Sequence, residues 1–271
     1  MVRKISGRPA VITGAASGIG RSLAQRLSRH GSPVVLADVD EIGLEKTAAS
    51  LTGPVLSRIL DVRDADDVHR FAKEVRDWLD LPLAAVFNNA GVATSTTVLN
   101  SVAEDDSWLF DINYWGVVNG TRAFLPLLVK QNYGVVVNTS SCFGLLGMPK
   151  QSAYCAAKFA VRGFTDSLRQ ELRGTGVSAV TVHPGGIKTN IIRNGRIHAE
   201  LDELGRSRDQ IEADFDRIAL TTPDKAAEII HRGVERGKAR VLVGPDAYLF
   251  DLLSRIAPTS YFNVMARLYQ R

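Results

Sequence analysis

Tyr154 and Lys158 stand four residues apart in a run with helical character, Ser152 to Lys158. On a helix that spacing places both side chains on one face, one turn from each other. An ammonium held beside a phenol favours the phenolate, so the tyrosine pKa is expected to fall from about 10 toward the working range. A phenol tuned in that way can give a proton to a ketone or take one from an alcohol. Tyr-x-x-x-Lys alone is weak evidence. Here a glycine-rich loop precedes the pair and a serine, Ser141, stands thirteen residues before the tyrosine.

The glycine-rich loop is Thr13 to Gly20, with Gly14, Ser17, Gly18, Ile19 and Gly20 in the spacing Gly-x-x-x-Gly-x-Gly. It follows a short apolar run and opens a helical stretch. Glycines let a backbone turn sharply against a pyrophosphate, and a helix N-terminus offers free N–H groups and a positive dipole end. Asp38 closes the next apolar run, where a carboxylate can accept hydrogen bonds from both hydroxyls of an adenosine ribose and would repel a 2′-phosphate. Ser17 and Val39 are not basic, so NAD is expected over NADP. Asp38 also has a plainer reading as a helix cap beside Asp40. Asp61 and Val62 end a third run and are placed to flank an adenine. Asn89, Ala90 and Gly91 end a fourth, in a small-residue turn that lets the chain pass close to a ligand.

Those residues need a scaffold. Short apolar runs alternate with longer amphipathic stretches, the pattern of a parallel sheet with crossover helices. Strands are expected at 9–13, 33–38, 55–60, 83–88, 134–140, 177–183 and 240–243. Helices are expected at 18–30, 41–51, 64–79, 102–131, 152–173 and 223–236. Asp64 and Thr222 are expected caps, with Pro223 at a first helical position. Ser101 and Glu104 form a capping-box pattern. Val68, Phe71, Val75, Trp78 and Leu79 share one helical face. No linker or repeat interrupts the chain, so residues 1–271 are read as one domain. Residues 185–222 form a polar segment suited to a substrate loop or lid, its later part open to a helix. Residues 245–271 form an amphipathic extension.

Composition narrows the function. The chain has 271 residues, 45% hydrophobic and 23% charged, with a net charge of +4. Its basic residues are scattered among acids, which argues against nucleic acid as a partner. Two cysteines, Cys142 and Cys155, suggest neither a disulfide framework nor a metal site. No signal peptide and no transmembrane span are expected, and the default compartment is the cytoplasm.

Together these residues resemble the short-chain dehydrogenase/reductase family in its compact form, over roughly residues 8 to 245. The family's glycine motif matches Thr13 to Gly20 and its Asn-Asn-Ala-Gly turn matches Asn88 to Gly91. Its central-helix asparagine matches Asn113, and its Pro-Gly stretch matches Pro184 to Thr189. The resemblance implies a doubly wound, Rossmann-type parallel sheet of about seven strands with helices on both faces, three layers α/β/α. It selects Ser141 over Ser140, which is left as a strand-end residue bonding locally. It implies an oxidoreductase moving a hydride between NAD(H) and a secondary alcohol or ketone, with Asn113, Ser141, Tyr154 and Lys158 catalytic. Tyr154 would exchange the proton and Lys158 would lower its pKa and bind the ribose. Ser141 would hold the carbonyl oxygen, and Asn113 would anchor a water in a relay. Pro184, Gly185, Ile187 and Thr189 would join the cofactor site, Ile187 and Thr189 holding the carboxamide. Dimers or tetramers through 102–131 and 152–173 are also implied, with Trp115, Val118, Phe124, Leu128, Phe159 and Phe164 either at the interface or facing the sheet.

The substrate end is read from neighbours of the catalytic residues. Ser141, Phe143, Leu146, Tyr154 and Gly186 are the main candidates, with Val92, Ala93, Cys142, Leu145, Met148 and Ile191 nearby. The set is mostly apolar and suits a lipophilic substrate. In the C-terminal segment, Leu249, Leu252, Leu253 and Ile256 fall at helical spacing. Tyr261, Val264, Met265, Leu268 and Tyr269 do much the same, with Arg255, Arg267 and Arg271 among them. Residues 247–271 are open to three readings: a cover for the substrate mouth, a subunit contact, or a peripheral membrane contact. A regulator that binds NAD without turnover is the rival function, and a methyltransferase a further one. Intact Ser141, Tyr154 and Lys158 argue against both.

Overall fold

The computed structural model describes residues 4–197, 205 and 207–263. In chain order the elements are β1 (Ala10–Thr13), α1 (Gly18–Arg29), β2 (Val34–Asp38), α2 (Glu41–Ala49), β3 (Val55–Ile59), α3 (Ala65–Trp78) and β4 (Ala85–Asn88). There follow β5 (Thr94–Ser95), α4 (Ala103–Phe110), a π-turn (Asp111–Trp115), α5 (Gly116–Lys130), β6 (Gly134–Thr139), α6 (Ser152–Glu171) and β7 (Val177–Pro184). The last are β8 (Arg196–Ile197), α7 (Arg208–Ile218), α8 (Pro223–Glu235), β9 (Arg240–Val243) and α9 (Pro245–Ile256).

Seven strands form one sheet in the order β3-β2-β1-β4-β6-β7-β9, every pairing parallel. A parallel sheet covered on both faces needs apolar side chains on both, and the strands supply them by alternation. Ile12, Val135 and Val137 face a core with Leu23 and Leu27 of α1 and Ile230 and Val234 of α8. Val11 and Val136 point the other way, into a core with Phe71 of α3, Phe124 and Leu128 of α5 and Leu168 of α6. Val68, Phe71 and Val75 are buried along one stripe of α3, with Trp78 and Leu79 packed at its margin. The strand order reverses between β1 and β4, which opens a crevice at the carboxyl ends of the strands.

Side-chain caps open α2, α3, α7 and α8. Asp64 accepts from Asp67 N at 2.9 Å and Thr222 from Lys225 N at 3.2 Å, with Pro223 opening α8. The capping box at Ser101 and Glu104 does not form. Ser101 donates instead to the Val98 carbonyl at 3.1 Å, and Val102 is the cap residue of α4, without a side-chain bond. The long helical region 102–131 is interrupted by the π-turn, which carries Asn113. Extra-residue turns of this kind recur at functional sites.

Two short strands were not foreseen: Thr94–Ser95 pairs in parallel with Arg196–Ile197 and ties the segment after β7 to the turn after β4. The later part of that segment is α7. Of the apolar residues read as interface or core, Val118, Phe124 and Leu128 are buried, whereas Trp115 and Phe159 are exposed. Val264, Met265, Arg267, Leu268, Tyr269 and Arg271 lie outside the described residues. No helix among the described residues is long and apolar enough to cross a membrane.

Candidate active site

A cleft of about 1640 Å³ lies at the carboxyl ends of the strands. Its floor is built by strand-end turns. After β1, Thr13 Oγ1 accepts from the amides of Asn89 and Ala90 at 3.0 and 3.1 Å, and Asn89 Nδ2 donates to the Thr13 carbonyl at 3.2 Å. The turns after β1 and β4 are thereby laced into one surface. Gly14, at φ +67°, makes this approach possible: a Cβ there would lie 2.8 Å from Ala90 Cα.

Ser141, Tyr154 and Lys158 converge on this cleft from β6 and α6. Ser141 Oγ accepts from Phe143 N at 3.1 Å, capping a short 3-10 turn, and donates its hydroxyl proton to Cys142 Sγ at 3.9 Å. Lys158 is buried; its Nζ donates to the Thr139 carbonyl at 3.1 Å and lies 5.6 Å from the Tyr154 ring centroid. Ser140, expected to bond locally, instead donates to the Lys158 carbonyl at 2.7 Å and fixes α6 to the end of β6.

The electrostatics correct one expectation. Burial pushes the Tyr154 phenol well above its ordinary value, and hydrogen bonding with Ser141 offsets this in part. Burial also pulls Lys158 down to about 8. Both shifts have one cause, the poor solvation of either charged form in the cleft wall. At neutral pH the pair is therefore a neutral phenol beside a largely protonated amine.

Asn113 is fully buried and does not line the cleft. Its Oδ1 accepts from Val92 N and its Nδ2 donates to Val92 O, both at 2.9 Å, so the side chain clamps the chain beyond Gly91. Leu146, expected at the substrate end, also lies behind the wall. It packs with Cys142, Ala247, Phe250 and Leu253 beneath α9. Cys142 and Leu145 are buried too, and burial raises the Cys142 thiol to about 12. Phe143, Gly186, Val92, Ala93, Met148 and Ile191 do line the cleft.

Residues 8–199 match the family model described as short chain dehydrogenase. The chain belongs to the short-chain dehydrogenase/reductase family. Among its relatives, SadH of Mycobacterium tuberculosis, named an oxidoreductase, is 45% identical over 266 residues, 96% of this chain and 94% of that protein. Estradiol 17-beta-dehydrogenase 11 of Pongo abelii is 32% identical over 271 residues, 98% of this chain and 84% of that protein. A short chain dehydrogenase/reductase of Burkholderia phymatum, solved with NAD, has a TM-score of 0.82 at 30% identity, covering 92% of this chain and 93% of that one. Solved neighbours hold NAD in some cases and NADP in others.

The residues of this short-chain dehydrogenase/reductase fit a nicotinamide dinucleotide. Ser17 begins α1 without a side-chain cap, and the first turn has no acidic residue, so the helix N-terminus can receive a phosphate. Ser17, Gly18 and Ile19 line the cleft. Gly20 does not: a Cβ there would collide with the Gly14 carbonyl oxygen, so it serves loop packing rather than ligand contact. Asp38 Oδ2 accepts from Ala16 N at 2.8 Å and Oδ1 from Asp40 N at 3.1 Å. Asp40, not Asp38, caps α2, accepting from Gly43 N at 2.9 Å. Val62 and Gly91 line the cleft, as do Pro184, Gly185, Ile187 and Thr189. Asp61 does so paired with Arg63 at 2.6 Å, and the hydrogen bond from Arg63 holds its carboxyl below the usual range.

Other cleft residues were not singled out from the sequence. Trp108 of α4 is one, stacked under Arg196 at 4.2 Å, while Arg196 pairs with Asp105 at 2.7 Å. Ile211, Phe215 and Ile218 of α7 line the cleft as well. Their i, i+4, i+7 spacing was a readable signal. Tyr261 and Phe262 come from the C-terminal extension, Tyr261 donating to the Gly147 carbonyl at 3.1 Å.

Proposed function

We propose that this chain is an NAD-dependent oxidoreductase interconverting a lipophilic secondary alcohol and its ketone, with Tyr154 as general acid and base. The observation that carries this reading is the convergence of Ser141, Tyr154 and Lys158 on one cleft beside the glycine loop. Residues 1–271 act as one domain in this reading, with 185–222 as the substrate loop and two or four copies assembling.

When bound, the nicotinamide supplies hydride transfer to or from the substrate carbon. In the reductive direction Tyr154 holds its proton at neutral pH and gives it to the substrate oxygen. Ser141, whose hydroxyl proton is held by a long bond to Cys142 Sγ, turns it to that oxygen and steadies the charge that develops there. The Lys158 ammonium, close to the ring, offsets the negative charge left on Tyr154 and binds ribose hydroxyls. In the oxidative direction Tyr154 must first give its proton to solvent; the phenolate, steadied by the Lys158 ammonium beside it, then takes the alcohol proton as the hydride leaves.

Asn113 serves through its clamp on Val92, and the π-turn that holds it suits a water relay toward Lys158. Ile187 and Thr189 orient the carboxamide. The preference for NAD rests on charge: Asp38 faces the ribose end, while Arg63 is paired with Asp61 and Arg21 is spent on Ala16 O and Thr47. Phe143, Met148, Ile191, Phe215 and Phe262 give the substrate end an apolar wall, and the likeness to an estradiol dehydrogenase agrees with it. The test is a screen of purified protein with NAD(H) and NADP(H) against alcohols and ketones graded in size and polarity. Turnover of apolar secondary alcohols with NAD supports the reading. Nucleotide binding with no turnover of any candidate supports the regulator instead.

A further inference from the structure

Pro184 to Thr189 leaves the end of β7 and lines the cleft on the side proposed for the nicotinamide. Much of its hold is backbone to backbone. Gly185 N donates to Val243 O at 2.9 Å, Thr221 N to Gly186 O at 3.3 Å, and Lys188 N to Thr221 O at 2.9 Å. One side chain joins them: Asp246 Oδ2 accepts from Gly186 N at 2.5 Å.

Asp246 reaches the turn from behind. It sits in the first turn of α9, where the helix dipole favours a carboxylate, and it does not line the cleft. Two glycines make room for it. A Cβ on Gly185 would collide with the carboxylate, and one on Gly244, at φ +98°, would lie 2.6 Å from Oδ1. Oδ1 is itself buried without a hydrogen-bond partner among the described residues. A carboxylate seated at that cost, bonded to the turn through one oxygen, marks a constraint on where the turn stands.

We propose that Asp246 is a positioning residue for the nicotinamide end of the cofactor site. It holds the Gly185–Gly186 turn in place for Ile187 and Thr189, and so makes the C-terminal extension part of that site. The inference rests on the nicotinamide-cofactor reading above.

The experiment compares wild type, Asp246→Ala and Asp246→Asn by calorimetric titration with NADH and with ADP-ribose, which lacks the nicotinamide. Asp246→Ala removes the acceptor, and loss of a bond to a charged group weakens NADH about tenfold. ADP-ribose affinity stays within about threefold, because its half of the cleft is built by other strands. Asp246→Asn keeps an oxygen for Gly186 N–H and restores most of the NADH affinity. Hydrogen exchange of peptide 184–189 without nucleotide rises in Asp246→Ala, a reading that needs no ligand; if that variant does not fold, Asp246→Ser takes its place. Unchanged NADH affinity in Asp246→Ala, a parallel loss for ADP-ribose, or an Asp246→Asn as weak as Asp246→Ala overturns the inference. Wild type that binds ADP-ribose but neither NADH nor NADPH strikes the cofactor reading first, and the inference with it.

Discussion

His183 Nδ1 lies 2.9 Å from the carbonyl oxygen of Ser141. A carbonyl only accepts, so Nδ1 carries the proton and Nε2 is left bare. His183 is fully buried, and Nε2 has no hydrogen-bond partner among the described residues. Protonating it would place an uncompensated charge in the core, and burial accordingly pulls its pKa from 6.5 to about 4.

That shift fixes the sign of a stability change. Between pH 4 and 6.5 the unfolded chain binds a proton at this position that the native chain refuses. Native stability contributed by His183 is therefore complete above pH 6.5 and is lost as pH falls toward 4. Between pH 7 and 5 the loss is about 2 kcal/mol. Urea unfolding at the two pH values measures it. Asn in place of His183 keeps a donor for the Ser141 carbonyl and removes that much of the pH dependence. His231, also shifted downward by burial, continues to titrate in both proteins. An identical pH dependence in wild type and His183→Asn contradicts the argument.

The Tyr154 and Lys158 shifts predict a rate profile. Ketone reduction needs a protonated phenol and a charged amine beside it. The phenol stays protonated throughout the accessible range, whereas Lys158 gives up its charge near pH 8. The kcat for reduction should hold level from pH 6 to about 8 and decline above it. Tyr154→Phe should lower kcat by roughly a thousandfold, with NADH affinity within about threefold. A Tyr154→Phe protein with wild-type turnover would remove the proposed role.

Asp38 gives a prediction about cofactor choice. Its carboxylate is fixed by Ala16 N and Asp40 N, so it presents a set charge, not a mobile one, to the part of the cleft proposed for the adenosine ribose. Asp38→Ser should raise the KM for NAD about tenfold, the worth of a charge-assisted hydrogen bond. It should also narrow the gap in kcat/KM between NAD and NADP, since the repulsion of a 2′-phosphate goes with the charge. Steady-state kinetics with both cofactors decide the matter; an unaltered ratio would mean that Asp38 does not set the preference.

What the sequence reveals of this site follows from which contacts are local. The glycine loop, Asp38 and the Asn88 to Gly91 turn sit where a strand ends, and strand ends follow from short apolar runs. Tyr154 and Lys158 follow from helical spacing. Gly20 and Asn113 belong to the same motifs, yet their work is internal: Gly20 faces the Gly14 carbonyl and Asn113 grips Val92. A motif reports that a residue matters, not which way its side chain points. Tyr261 and Trp108 reach the cleft through the docking of the C-terminal extension and the stacking of Arg196, contacts between residues 114 and 88 positions apart that no local pattern carries. Ser101 with Glu104 shows the opposite error, a local pattern overridden when the chain bonds back to Val98.

Phe143 and Leu146 separate packing from recognition within a single turn of chain. Phe143 lines the cleft with its ring 6.2 Å from that of Tyr154 and 6.3 Å from that of Phe250. Leu146, three residues on, is 2% exposed and fills the space beneath α9. Leu146→Ala should cost about 2–5 kcal/mol through lost burial and the cavity left behind. The relative kcat/KM across a substrate panel should change little, because the missing atoms face away from the cleft. Phe143→Ala should do the reverse, shifting the panel toward bulkier substrates by creating volume beside Tyr154. Denaturant unfolding and a common panel of ketones, run on both variants, distinguish the two. If Leu146→Ala reorders the panel as strongly as Phe143→Ala does, the wall between core and cleft is softer than its packing implies.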